Sequence, residues 1–407
     1  MHLPRALLDA VETASRQFRA LLLCGPRQVG KTTLLRRLAG AKRRYVTLDD
    51  PASRELARRD PALFLERFSP PVLIDEIQYA PQLLPLIKIA VDSGRRGTSI
   101  WLTGSQQFHL MRGVSETLAG RVAILNLLGL SSRERRRRNL DLPPFLPTHD
   151  VLRRREADAP RLTLRQTYRD IWLGGFPALV TRAVRDRDLF FSSYVQTYLQ
   201  RDVRDLARVG DEAAFLRFVK SVAARTAQLL NLSDLARDAD ISVNTAKTWL
   251  SILQTSFQVI LLPPYYTNVT KRLVKMPKLY FLDTGLCAYL TDWSSPDTLE
   301  AGAMSGAVFE THVVAEILKS WWNAGKQPNL YYYRDKDGRE VDLLIAQDRG
   351  LYAIEIKKSS APRVDAAAAF DALRRLDQPL ACGGIVCMIN ERLPLTRTVE
   401  LVPLSLL

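Results

Sequence analysis

A five-residue apolar run, Ala20 to Cys24, stops at Gly25. The nine residues GPRQVGKTT at 25–33 then give way to Leu34, Leu35 and Leu38 at helical spacing. This feature limits the fold more tightly than any other. A strand that turns directly into a helix through a glycine-rich loop gathers backbone amides around one point, with the positive end of the helix behind them. Phosphate is the ligand this geometry accepts. Gly25 and Gly30 permit the tight path, and Pro26, Arg27, Gln28, Val29 and Thr33 complete a loop that wraps the phosphates of ATP. Lys31 is expected to reach the β and γ phosphates, and Thr32 to ligate Mg²⁺. A glycine turn ahead of a basic amphipathic helix is the plain alternative.

The surrounding sequence has the rhythm of a parallel α/β sheet with helices on both faces. Tyr45 to Leu48 reads as a strand followed by Asp49 and Asp50, and Pro71 to Ile74 as a buried strand presenting Asp75 and Glu76. That is where a P-loop enzyme needs one carboxylate for magnesium and one to polarise water, so Asp75 is assigned to the metal and Glu76 to the water. The pair alternatively caps the next helix. Helix-compatible Pro81 to Val91 leads to a strand at Ser99 to Thr103, after which Ser105 is placed to meet the γ phosphate or attacking water. A turn serine is the other reading. Arg121 opens the apolar run Val122 to Leu128 and, in competition with Arg112, is a candidate to supply charge to a nucleotide in a neighbouring subunit.

At 407 residues the chain exceeds the usual domain of about 100 to 150 residues and suggests two to four folding units. No apolar run approaches the roughly 18 residues that cross a bilayer, so no membrane partner is expected. The start of the chain lacks secretory-signal features, which makes the cytoplasm the expected location. Cys24, Cys287, Cys382 and Cys387 form no CxxC pair and read as reduced packing residues, and the four histidines are dispersed, leaving little basis for zinc. With 58 Lys plus Arg against 43 Asp plus Glu, the net charge is +15, a field that attracts a polyanion. DNA is the natural candidate, against a merely arginine-rich surface. The run Arg133 to Arg138, with Glu134 inside it, reads as a solvated linker helix or a phosphate contact.

The proline-rich stretch 139–160 reads as a loop leaving the first unit, and helices are expected over Thr167 to Leu173 and Asp188 to Ala207, around the GGFP turn at 174–177. These segments suggest a lid over the nucleotide, with Arg201 paired to Asp202 or reaching a phosphate. Phe215 to Leu229, Leu232 to Arg237 and Val243 to Leu253 have the proportions of a helix-turn-helix, with Ser242 capping the third helix and Asn244, Lys247 and Ser251 facing outward. Phe257 to Leu262 and Leu279 to Leu282 then form a wing separated by Lys271, Arg272, Lys275 and Lys278, suited to the DNA backbone or to docking.

Further on, a helix over Gly306 to Lys319 carries Glu310, and two strands follow at Glu340 to Ala346 and Leu351 to Lys357. Alternation turns Asp342 away from Val341, Leu343 and Ile345, and sets Glu355 and Lys357 together opposite Tyr352, Ile354 and Ile356. Asp342 and Glu355 are thereby candidate Mg²⁺ ligands, with Glu310 approaching from the helix and Lys357 orienting a hydrolytic water. Alternating charged and apolar residues on a half-buried strand are the bland reading. A helix over Val364 to Leu376 and a strand over Gly384 to Met388 complete the chain.

GPRQVGKTT at 25–33, LIDEIQ at 73–78, TGSQQF at 103–108 and SETLAGR at 115–121 resemble the AAA-type module of a widespread prokaryotic family. That family joins the module to a C-terminal domain of unassigned function with a restriction-endonuclease-like fold. The GGFP turn and YLQRDV at 198–203 fit the same resemblance, as do Asp342 and the Glu355–Lys357 pair, which are similar to the core of restriction-like nucleases. The resemblance implies phosphate binding by Lys31 and Thr32, magnesium and water at Asp75 and Glu76, a sensor at Ser105, and a recurrent arginine at Arg121. The expected architecture is multidomain α/β. An AAA-type P-loop parallel sheet occupies 1–138, a helical lid or connector 160–210, a winged helix-turn-helix 211–290 and a restriction-endonuclease-like α/β domain 300–407. A DNA-associated Mg²⁺-dependent ATPase, assembling as a homo-oligomer through the first domain, is the leading expectation. The other is a nucleotide-controlled scaffold whose last domain cuts nothing.

Overall fold

The computed structural model describes residues 3–94, 99–105, 118–198, 211–266, 276–347, 350–373, 376 and 378–407. Its first unit comprises α1 (Leu8–Gln17), β1 (Ala20–Cys24), α2 (Lys31–Ala39), β2 (Arg44–Thr47), α3 (Pro51–Arg59), α4 (Pro61–Arg67), β3 (Val72–Asp75), α5 (Leu83–Asp92), β4 (Ile100–Gly104) and β5 (Val122–Asn126). The strands form one parallel sheet in the order β2-β3-β4-β1-β5. All five residues of β1 are buried, as a central parallel strand covered on both faces requires. Its side chains divide by parity. Leu21 and Leu23 pack with Leu7, Val11, Leu34 and Leu35 from α1 and α2, whereas Ala20, Leu22 and Cys24 join the core that holds Phe64, Leu83 and Ile87 from α4 and α5.

Three helices of this unit were not expected. For α3 and α4 the signal is Asp-Pro, twice: Asp50 accepts from the Ser53 amide at 2.9 Å and Asp60 from the Leu63 amide at 2.9 Å, each with proline at the first helical position. Asp50 therefore ends no strand; it starts a helix.

The segment read as a loop leaving the core is a strap anchored by a few buried residues. After α6 (Ser132–Arg136), Phe145 is fully buried, and α7 (His149–Glu156) follows. The arginine run is solvated only in part, at Arg137 and Arg138. Arg135 and Arg136 both reach Asp170, while Arg138 holds Asp158 at 3.0 Å. The next helices are α8 (Leu164–Leu173) and α9 (Arg187–Tyr198). Trp172 at the end of α8 donates to the carbonyl of Trp293 at 2.8 Å, and Phe176 and Phe191 pack with the middle unit. At the GGFP turn Gly174 has φ +74°, and a Cβ there would lie 2.3 Å from Asp283 Oδ1, so only glycine fits.

The middle unit contains α10 (Glu212–Ala224), β6 (Gln228–Leu229), α11 (Leu232–Ala239), α12 (Val243–Thr255), β7 (Val259–Leu262) and β8 (Lys278–Phe281). Its antiparallel sheet has the order β6-β8-β7. The predicted helix to Leu229 ends five residues early, because Ala227 takes a left-handed φ of 60° and the chain turns into β6. Ser242 caps α12 as expected, accepting from the Thr245 amide at 3.0 Å. Lys271, Arg272, Lys275, Arg112, Arg201 and Asp202 lie outside the described residues.

After α13 (Thr284–Leu290) and α14 (Pro296–Ala301), the last unit begins with α15 (Ser305–Asn323). Apolar nearly all round, α15 is buried along its length, as such a helix must be. Then come β9 (Leu330–Arg334), β10 (Glu340–Gln347), β11 (Gly350–Lys357), α16 (Ala368–Leu373), β12 (Leu380–Cys387), β13 (Leu393–Pro394) and β14 (Val399–Pro403). The mixed sheet runs β13-β14-β12-β11-β10-β9, antiparallel from β9 to β11 and parallel from β11 through β12 to β14. The expected helix at Val364 is a 3₁₀ turn leading into the shorter α16. Among the described residues no helix is long and apolar enough to cross a membrane.

Candidate nucleotide site and the C-terminal acidic cluster

The phosphate loop joins β1 to α2. Gly25 passes so close to the chain beyond β5 that a Cβ would sit 2.0 Å from the Leu127 carbonyl oxygen, and Gly30 enters α2 at φ 95°. Gln28 is left-handed as well, at φ 61°. No side chain caps the start of α2, which leaves its first-turn amides to a ligand, the arrangement that suits a phosphate. Lys31 is buried and folds back, its Nζ donating to the carbonyls of Gly25 at 2.9 Å and Pro26 at 2.8 Å. Burial pulls Lys31 below its ordinary range, with Glu76 opposing. The ammonium is thus parked on two loop carbonyls. Arg27 donates to Tyr79 Oη at 3.2 Å, Val29 is buried, and Thr33 is exposed on the first turn of α2.

Parallel strands bring the other groups to the same sheet end. Thr32 Oγ1 donates to Asp75 Oδ1 at 2.7 Å, Thr103 donates to the same oxygen, and Tyr45 Oη donates to Oδ2 at 3.1 Å. A hydroxyl and a carboxylate in contact at the loop are the hard oxygen donors Mg²⁺ takes. Glu76 is left-handed at φ 57°, a sparsely populated region that tends to persist at functional sites, and its amide donates to Thr103 Oγ1 at 3.1 Å. Ser105, buried beyond β4, donates to Glu76 Oε2 at 3.2 Å. Gln78 donates to both, reaching Ser105 Oγ at 3.2 Å and contacting Glu76 Oε2.

Thus Lys31, Thr32, Asp75, Glu76 and Ser105 converge, and Gln78 and Tyr45 join them as partners that the sequence reading missed. Their only signals were position: Gln78 follows Glu76 by two residues, and Tyr45 lies in the strand beside β3. Arg5 was also missed. Its NH1 donates to the Val29 carbonyl at 2.7 Å and its Nε to Glu134 at 3.0 Å, tying the loop to α6. Arg121 lies apart. It precedes β5, at the opposite end of the sheet from Gly25, about 20 Å away for six residues at ~3.3 Å each, and pairs with Asp92.

The C-terminal residues also converge, with a difference. Lys278 of β8, expected to face DNA, is buried, with its side chain only 4% exposed. Its Nζ lies 2.9 Å from Glu310, 2.6 Å from Glu340 and 3.6 Å from Asp342. Tyr280 Oη donates to Glu310 at 2.7 Å, and Asp342 Oδ2 accepts the Ile356 amide at 2.9 Å. Glu355 Oε1 is held by Lys357 at 2.6 Å, while its buried Oε2 has no hydrogen-bond partner. Burial and Asp342 push Glu310 and Glu355 up to about 7. Burial raises Asp342 too, with Lys278 opposing, and Lys278 itself is raised because three carboxylates outweigh its desolvation. The centre proposed for a divalent metal holds an ammonium from the neighbouring unit. Among the described residues no group of three or more His, Cys, Asp or Glu is arranged to hold a metal ion. All four cysteines are free, and burial pushes Cys24 and Cys382 up to about 12 and Cys387 to about 11, which leaves them as packing residues.

Three family models match the chain in series: an AAA domain over 17–135, a domain of unknown function (DUF8612) over 165–297 and another (DUF4143) over 305–407. A Walker-type ATPase of Pyrococcus abyssi is 15% identical with a TM-score of 0.44, covering 70% of this chain and 94% of that one. RuvB of Thermotoga maritima is 18% identical at 0.32, covering 63% and 87%. Likeness at these scores carries no functional argument. Uncharacterized proteins Mb2031c of Mycobacterium bovis and Rv2008c of Mycobacterium tuberculosis are each 33% identical over 406 residues, covering 98% of this chain and 84% of theirs. With its AAA domain at 17–135 and DUF4143 domain at 305–407, the chain belongs to the family of these two mycobacterial proteins.

Proposed function

We propose that the chain is a Mg²⁺-dependent ATPase. The observation that carries this reading is the meeting of Lys31, Thr32, Asp75, Glu76 and Ser105 at one end of the parallel sheet. Lys31 leaves its two carbonyls for the β and γ phosphates, Thr32 and Asp75 hold Mg²⁺, Glu76 orients water, and Ser105 senses the γ phosphate. Lys31→Ala removes nucleotide binding, whereas Glu76→Gln keeps it and slows hydrolysis about 10²- to 10⁴-fold. Unchanged phosphate release in both variants would sink the site. Arg121, remote from its own loop, acts on a neighbouring copy in a homo-oligomer. Mixing Arg121→Ala with Glu76→Gln subunits restores activity if it does, and leaves both dead if it does not.

DNA is the proposed partner, supported by the net charge of +15 and by the middle unit, which we read as a winged helix with Asn244, Lys247 and Ser251 exposed on α12. Binding to DNA that weakens steeply with salt is expected; salt-insensitive or absent binding overturns it.

A second reading concerns the last unit. Its sheet order is compatible with a restriction-endonuclease-like fold, but Lys278 in the carboxylate cluster favours a noncatalytic anchor over a nuclease centre. Circular and linear DNA should survive incubation with the protein and Mg²⁺ or Mn²⁺, with or without ATP. Cleavage lost in Asp342→Ala and Lys357→Ala but kept in Glu76→Gln would restore the nuclease.

A further inference from the structure

Tyr45 stands in β2, an edge strand of the parallel sheet, and is 37% exposed, yet its hydroxyl reaches a carboxylate that is only 5% exposed. Its register partner in β3 is Leu73, two residues short of Asp75. The ring therefore slants along the strand toward the phosphate-loop end of the sheet, and this brings Oη within 3.1 Å of Asp75 Oδ2.

The slant is supported from the helix that follows the loop. Thr32 and Arg36 lie one turn apart on α2 and share a face. The Arg36 guanidinium sits over the Tyr45 ring, 4.6 Å from its centroid, while Thr32 Oγ1 donates to Asp75 Oδ1 at 2.7 Å. One face of α2 thus grips the same carboxylate twice, at one oxygen directly and at the other through a tyrosine.

This grip limits what Asp75 can offer an ion. An ionised carboxylate has about four acceptor positions. Three are taken, by Thr32 and Thr103 on Oδ1 and by Tyr45 on Oδ2. The position left over is on Oδ2, beside the tyrosine hydroxyl, so Asp75 gives a cation one bond in a direction that Tyr45 sets. A small ion that keeps several waters and requires a near-ideal octahedron is served by a single carboxylate bond, which describes Mg²⁺. Ca²⁺ is larger, collects more oxygens in a looser geometry and readily takes a carboxylate by both of them.

We propose that Tyr45 is a positioning residue that makes the Asp75 site select Mg²⁺ over Ca²⁺. This rests on the Mg²⁺-dependent reading of the phosphate loop. Without the hydroxyl, Asp75 is held at Oδ1 alone, and its carboxylate is free to turn and present both oxygens. That serves the larger ion and spoils the geometry for the smaller one. A tyrosine that merely satisfied a buried carboxylate would alter stability when removed, with no regard to which metal is present.

The full chain and its Tyr45→Phe variant, which keeps the ring and loses only Oη, are titrated with a fluorescent non-hydrolysable ATP analogue in EDTA, in excess Mg²⁺ and in excess Ca²⁺. Binding is read by anisotropy, so no turnover is needed. The wild type should bind the Mg²⁺ complex more tightly than the Ca²⁺ complex. In Tyr45→Phe the affinity in EDTA and the urea midpoint should stay put, the affinity in Mg²⁺ should fall about tenfold, and the affinity in Ca²⁺ should not fall. Arg36→Met, which removes the support and leaves the hydroxyl, should shift the preference in the same direction by only about two- to fivefold. Equal affinities for the two complexes in the wild type overturn the selectivity. A preference that survives in Tyr45→Phe, or a loss that is the same in EDTA and in both metals, overturns the role of Tyr45. A full-sized loss in Arg36→Met moves the role from the hydroxyl to the arginine charge and overturns it as well. A wild type that binds the analogue equally in EDTA and in Mg²⁺ is the distinct result that sinks the Mg²⁺ reading itself, and this inference with it.

Discussion

The phosphate loop and the C-terminal acidic cluster are made of the same materials, an ammonium among carboxylates at strand ends, and they differ in where the ammonium comes from. Lys31 belongs to the loop it serves and rests on two carbonyls 2.8–2.9 Å away, neutral contacts that the proposed phosphate would replace at little loss. Lys278 comes from another unit and is ion-paired to Glu310 and Glu340, with Asp342 slightly farther off. Leaving would strand buried negative charge, which costs several kcal/mol per ion. Similar composition thus gives one site that waits for a ligand and one whose counter-ion is built in.

The widest separation between the two should come from paired acid substitutions. Glu76→Gln is expected to cut phosphate release by about 10²- to 10⁴-fold, and Glu355→Gln to leave it unchanged in the same assay. A comparable loss in both would mean that the two sites act as one. Next in size, Lys278→Met should destabilise the fold by about 3–5 kcal/mol in urea titration, since it leaves buried carboxylates unmatched, whereas Lys31→Met, which abandons only carbonyls, should cost about 1 kcal/mol or less. Equal costs would erase the distinction.

Acid offers a third test through α15, the helix that carries Glu310. Burial holds His312 down to about 4, and Glu316 sits at about 2, where Lys319, His312 and the Ser132 amide outweigh its burial. Free histidine titrates near 6.5, so between about pH 6.5 and 4 the unfolded chain binds the extra proton and stability falls as pH falls. Glu316 acts in the same direction between about 4.5 and 2. The loss from His312 is on the order of 3 kcal/mol, and His312→Gln should flatten the stability profile between pH 6.5 and 4; an unchanged slope refutes this. The smallest effect expected is a gain. Glu355→Gln removes a buried charge whose Oε2 has no partner and should stabilise by about 1 kcal/mol, measured by the same titration. Destabilisation would show that the charge is needed.

The first unit was legible because its signals are local. A buried apolar strand, two glycines and a helix lie within twenty residues, and Asp75, Glu76 and Ser105 each stand at the end of a recognisable strand. The C-terminal quartet was legible in part: alternation correctly put Glu355 beside Lys357. What it could not give was Lys278, which pairs with Glu310 across 32 residues and with Asp342 across 64, and whose own neighbourhood reads as a solvent-facing basic wing. The same holds for the arginine run. In sequence it is a block of like charge, and its partners Asp158 and Asp170 lie a helix or more away. Arg5 gave no local signal at all, since its meaning depends on Glu134.

The helix α15 receives or gives a hydrogen bond at every unit of the chain: Tyr168 to the Ser305 carbonyl at 2.9 Å, Thr226 with Thr311 at 2.7 Å, Lys278 to Glu310 at 2.9 Å, Ser132 to Glu316 at 2.7 Å and Phe145 to Ser320 at 2.9 Å. Sequence boundaries therefore do not mark places to cut. A fragment ending near residue 300 would keep its phosphate loop and lose the surface on which its strap and middle unit are folded, exposing the apolar lining of a missing helix. Such truncations are expected to collect in inclusion bodies, and dissection of this family by deletion would report insolubility where it seeks division of labour.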